Sequence, residues 1–143
     1  MRGVTTTGIC FVFLSLSFAC EPAQEPSRTE SPEGAMVYII SPKDGAVVPD
    51  TFIVRFGLKG MGIAPAGTAV ANTGHHHLLI DVATLPPLDR PMIDQVRHFG
   101  LGQSESTLIL EPGEHTLQLI LGDRFHIPHD PPVIGEQISV TVQ

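Results

Sequence analysis

Tryptophan is absent from the 143 residues, tyrosine occurs once and cysteine twice. Cations are scarce as well: 8 Lys and Arg stand against 15 Asp and Glu, a formal net charge of −7. A nucleic-acid binder needs a basic footprint to displace counterions from phosphates, so the charge excludes that class of partner. Both cysteines, Cys10 and Cys20, fall in the first twenty residues. The rest of the chain is free of thiol, which rules out a disulfide framework and Cys-rich zinc sites there. A metal in that part must be held by imidazole, carboxylate, thioether or backbone oxygen. No segment carries a convincing 3.6-residue apolar period, and 14 Gly with 13 Pro, spread without a repeat, disfavour a helical bundle. Also missing are a G-x-S-x-G nucleophile elbow around Ser104 or Ser106 and the lysine that a phosphate loop would need near Gly60-Met61-Gly62. No pair of carboxylates is spaced to suggest glycoside chemistry.

What the chain does contain divides into three stretches. Arg2 and the apolar residues 8–18 have the form of a signal-peptide n-region and h-region, too short to span a bilayer. Ser17-Phe18-Ala19 offers small residues for cleavage before Cys20. A cysteine at that place resembles the lipidated cysteine of bacterial lipoproteins, although Ser17 stands where such proteins usually have leucine. The expectation is therefore a signal peptide over residues 1–19, a lipidated Cys20, and export to the periplasm or an outer-membrane anchor, with the membrane touched only through that lipid. Residues 20–34, rich in Pro, Glu and Ser, read as a flexible tether. Residues 35–143 are the folding unit, enough for one modest core.

That unit is written in strands. Residues 36–40 form a short apolar run closed by Ser41-Pro42-Lys43-Asp44-Gly45. Along residues 51–58, Phe52, Val54, Phe56 and Leu58 face one way and Ile53 and Arg55 the other. Residues 75–82 are a third strand, followed by a long Pro-broken crossing to Arg97. Residues 106–110 and 115–121 read as a hairpin around Glu111-Pro112-Gly113-Glu114, with Leu117, Leu119 and Leu121 on one face. Ile138, Val140 and Val142 point inward on the last strand. About six or seven short strands between Gly/Pro turns predict an all-β fold, an immunoglobulin-like antiparallel β-sandwich, with a small open β-barrel as the alternative.

Seven histidines remain to be explained, all between His75 and His129. Alternation on a strand puts His75 and His77 on one face, roughly 6 to 7 Å apart at Cβ, and His76 on the other. Asp81 follows on the face of His75 and His77. Such an H-x-H pair can close on one zinc or copper ion. His126 and His129 flank Pro128 at a spacing that lets both reach a common point. The candidate metal ligands are His75, His77, His126 and His129, with His115 and His98 as further members, and Asp123 or Asp130 to orient a ligating ring. Met61 is a thioether candidate for Cu(I), weighed against simple loop packing. Three functions remain open on these residues: a non-catalytic copper- or zinc-binding module, a His-ligated metalloenzyme acting on a small oxidant or substrate, and a structural or interaction domain whose imidazoles only staple loops.

Long strings of the chain resemble a known family. They are Asn72-Thr73-Gly74-His75-His76-His77-Leu78-Leu79-Ile80-Asp81, His98-Phe99-Gly100-Leu101-Gly102-Gln103-Ser104-Glu105, and Pro112-Gly113-Glu114-His115-Thr116-Leu117-Gln118-Leu119, running on through Leu121-Gly122-Asp123 to His126-Ile127-Pro128-His129. Together with the Ser41–Gly45 turn and the strand of Phe52 to Leu58, they are similar to bacterial exported proteins grouped as domain of unknown function 4399. The resemblance implies a compact, exported, β-rich domain and implies no activity.

Overall fold

The computed structural model describes residues 28–143. The expected signal peptide, the lipidated Cys20 and the first part of the tether lie outside the described residues. Nine strands run in the order β1 (Met36–Ser41), β2 (Ala46–Val48), β3 (Thr51–Lys59), β4 (Gly62–Ile63), β5 (Thr73–Ile80), β6 (Val96–His98), β7 (Glu105–Ile109), β8 (Gly113–Gly122) and β9 (Ile138–Val142). There is no helix among the described residues.

The strands form two sheets, as a sandwich requires. One is β1-β3-β7; the other is β2-β9-β8-β5-β4, with β6 also paired to β5. The alternation read along β3 is realised: Phe52, Val54 and Phe56 are buried between the sheets and Ile53 is exposed. They meet Leu78, Leu117, Leu119, Leu121, Val140 and Val142 of the second sheet in one core. Most pairings are antiparallel, but β2 runs parallel to β9 and β4 parallel to β5.

Two expectations change. The Glu111–Glu114 turn does not close a hairpin. β7 pairs with β3 in the first sheet, while β8 pairs with β5 and β9 in the second. Leu110 N donates to Asp50 O (3.0 Å), so the chain finishes on the first sheet before it crosses. Residues 28–31, read as tether, are held on the domain. Thr29 Oγ1 donates to Asp123 Oδ2 (2.7 Å), Ser31 N to Asp130 O (3.1 Å) and Asp130 N to Thr29 O (2.9 Å). The Arg28 guanidinium donates to the carbonyls of Pro128 and His129 and pairs with Asp130. The folded unit thus begins at least seven residues earlier than composition suggested, because backbone groups of a polar segment can add to a loop edge without any apolar signal.

The outer face of the second sheet is covered too. Leu79, Ile120 and Met92 make a second, smaller apolar cluster there, with Val82, Leu88, Val96 and Ile134 against it. β5 is therefore sandwiched, with His75 to Leu79 all buried. That burial on both faces explains why its sequence from His75 to Ile80 is only imidazole and apolar and shows no polar alternation.

Candidate metal centre

Register builds the first half of the site. On β5, His76 points to the main core, its ring 5.1 Å from that of Phe56. His75 and His77 point to the opposite, loop-covered face, their ring centroids 4.7 Å apart. β6 lies antiparallel beside them and sets His98 directly across from His77. On the other side β8 places Gly122 across from His75. A side chain there would force the ring aside: a Cβ on Gly122 would fall 2.5 Å from His77 Cε1. Gly100 does the same for His98, whose Cε1 would lie 2.2 Å from an added Cβ.

The fourth ring comes from a loop. Asp123 Oδ1 accepts from Phe125 N (2.8 Å) and Ile127 N (3.0 Å), and Asp123 O accepts from His126 N (2.9 Å). This tight turn, of the kind aspartate favours, holds His126 at its tip with φ 67°. His126 Nδ1 stands 3.1 Å from His75 Nε2. The six centroid distances among His75, His77, His98 and His126 run from 4.6 to 5.9 Å.

Each ring offers one nitrogen to a common point, and those four atoms lie within 4.8 Å of one another. A tetrahedral zinc about 2.0–2.1 Å from each nitrogen sets its ligands about 3.4 Å apart, so ring movements of about an ångström close the shell. His75 and His77 form the buried floor, His126 is half-buried and His98 exposed at the mouth. The four histidines could hold a metal ion.

His75 Nε2 and His126 Nδ1 are within hydrogen-bond distance of each other, and the remaining nitrogens of the floor are free to receive a cation. Both nitrogens of His77 and Nδ1 of His75 are buried with no hydrogen-bond partner. A neutral imidazole always carries one N–H and one lone pair, and beyond a poorly aligned approach to the His75 backbone His77 satisfies neither. Each such group costs about 1–3 kcal/mol to bury unsatisfied. Protonation is no remedy. Burial first, then the neighbouring imidazoles, push His75 down to about 4 and His77 down to about 3. Burial and the ring of His126 lower His98 as well. The floor is thus neutral imidazole at physiological pH, the form that ligates metal. The buried carboxylate of Asp123 is the anion whose charge reaches His75.

The other expected members stand elsewhere. His115, at the start of β8, has Nδ1 2.7 Å from Asp81 Oδ2 and donates from Nε2 to Glu111 O (2.8 Å). Asp81 is therefore spent on His115 and on Thr116 N (2.8 Å). His129 is fully buried beneath residues 28–31, its Nδ1 donating to Thr29 O (3.2 Å). Asp123 and Asp130 bond the loop and the N-terminal segment, and no ring of the cluster. Met61 packs against the main core. The residues that the sequence did not single out are Gly122 and Gly100, whose missing side chains leave room for the rings of His77 and His98.

Among families, a model described as a domain of unknown function, DUF4399, matches residues 54–143. That span holds all four clustered histidines. No curated protein and no solved structure matches the chain.

Proposed function

This chain belongs to the DUF4399 family, whose description assigns no activity, so we propose its function from the site: a non-catalytic metal-binding protein that holds copper or zinc through His75, His77, His98 and His126. One observation carries this reading. Three buried ring nitrogens without partners sit in a group whose four donors converge within 4.8 Å. A divalent ion satisfies the lone pairs directed at it and leaves the opposite ring N–H groups to adjust to water or carbonyls. Four neutral imidazoles suit Zn(II) and Cu(II), with copper the tighter by the usual order of affinities. Export belongs to the same proposal: the first twenty residues have the form of a lipoprotein signal, which would set the site in the cell envelope, held to a membrane by lipid on Cys20.

Calorimetric titration of the full chain with Zn(II) and Cu(II) tests it. The expected result is one site per chain with a Kd of about 10 μM or tighter, lost in His75→Ala/His77→Ala. No binding of either ion at that level would overturn the proposal.

A second reading rests on the exposure of His98 at the mouth. An accessible metal could act on a small oxidant. Superoxide consumption by the metal-loaded chain no faster than by the free ion would dismiss it.

A further inference from the structure

The second apolar cluster contains one residue that apolarity alone does not account for. Met92 is buried, packed with Leu79 and Ile120 in the long crossing that covers the outer face of β5 and β8. Two independent observations place it beside the four imidazoles. Its backbone N donates to the carbonyl of His126 (2.9 Å), so it is bonded to a residue of the cluster. Its Cε and the ring of His77 crowd the same spot: a Cβ placed on Gly122 would lie 3.1 Å from Met92 Cε, 2.5 Å from His77 Cε1 and 2.9 Å from His77 Nδ1. The methyl-bearing end of the thioether and the ring of His77 thus share the space over Gly122, and neither nitrogen of that ring has a well-formed hydrogen bond. Of the other methionines described, Met36 is half-exposed on β1 and Met61 packs in the main core. Among the described methionines Met92 alone approaches the site.

Thioether sulfur is a soft donor that selects Cu(I) and does little for Zn(II). We propose that Met92 supplies a sulfur ligand beside the four imidazoles, making the site one for copper and able to hold Cu(I) as well as Cu(II). This rests on the metal-binding reading above and narrows it. The unbranched, three-torsion side chain has the freedom to swing its sulfur inward without moving the backbone bond to His126.

The test uses the full chain with Cys10 and Cys20 replaced by serine, so that methionine is the only sulfur. Cu(I) affinity is measured without oxygen against a chromogenic Cu(I) chelator, with Zn(II) affinity measured alongside, for this protein and for Met92→Leu. Leucine keeps the volume and apolarity that the second cluster needs. The expected result is a loss of about tenfold or more in Cu(I) affinity with Zn(II) changed by less than about threefold. X-ray absorption of the Cu(I)-loaded parent should show a sulfur scatterer that Met92→Leu lacks, a readout independent of affinity. Copper bound with equal strength by both proteins, or bound through nitrogen alone, or a sulfur signal that persists in Met92→Leu, would overturn the role of Met92 and leave the imidazole site standing. Absence of any metal binding by the parent would overturn both.

Discussion

Nε2 of His75 and Nδ1 of His126 face each other at 3.1 Å, although 51 positions separate the two residues in the chain. One comes from the centre of a sheet and the other from the tip of a loop that Asp123 ties into a turn. Their meeting converts an H-x-H pair into a four-ring cluster. The cluster is poorly satisfied by the protein itself.

Replacing His77 by leucine removes two stranded polar atoms from the interior. Metal-free His77→Leu should be at least as stable as the parent, with a gain of up to about 1–3 kcal/mol in urea unfolding, while its Zn(II) affinity falls by about tenfold or more. A marked loss of stability would mean that His77 is satisfied in a way the geometry does not reveal.

Acid should destabilise the metal-free fold through the same residues. His75 and His77 are pushed down to about 4 and about 3 in the folded chain, chiefly by burial and secondarily by neighbouring imidazoles, and titrate near 6.5 when unfolded. As pH falls, the unfolded chain takes up protons first. Their contribution is complete above about pH 6.5 and is lost on descent through about 4 and then about 3. Urea midpoints measured with chelator at pH 8, 6 and 4.5 should fall steeply for the parent and less so for His77→Leu. The same shifts should carry metal binding below the pH near 6 where free imidazoles lose it.

His115 should behave in the opposite sense. Its bond to Asp81 and its donation to Glu111 O favour the charged ring and raise it. A raised group contributes most below its unfolded value near 6.5, and that contribution fades as pH climbs through the folded value. His115→Gln should therefore cost more stability at pH 5.5 than at pH 9 and leave Zn(II) affinity unchanged. An equal cost at both pH values would show the Asp81 pair to be inert.

Gly122→Ala tests the clearance around His77. Its methyl group would have to displace the ring from 2.5 Å and the tip of Met92 from 3.1 Å. Zn(II) binding should weaken by about tenfold or more, with unfolding cooperativity retained. Unchanged affinity would mean that His77 is not a ligand.

Much of this was legible in the sequence where a period or a motif is local. Phe52, Val54 and Phe56 declare β3 by alternation, and H-x-H alone puts His75 and His77 on one face. Non-local register was not legible. His98 joins the site because a three-residue strand pairs with β5, and three residues carry no period. The Pro-Gly turn at Pro112-Gly113 signals a change of direction, not which sheet receives the next strand, and so it suggested a hairpin. His126 and His129 look equivalent by spacing. They part because His126 sits at a positive φ that turns its ring to the cluster, while His129 is drawn under Thr29. No composition signal marks residues 28–31 as docked, since their partners are backbone carbonyls and two carboxylates about a hundred residues away.

The most direct test of the site is long-range ¹H–¹⁵N NMR of the imidazoles during titration with Zn(II), since zinc is diamagnetic and each ring reports its own protonation and ligation. The account predicts that the ¹⁵N resonances of His75, His77, His98 and His126 move together and saturate at one equivalent, while those of His76, His115 and His129 keep their tautomeric patterns. Saturation without change in His75 and His77, or ligation signatures on His115 or His129 in their place, would contradict it.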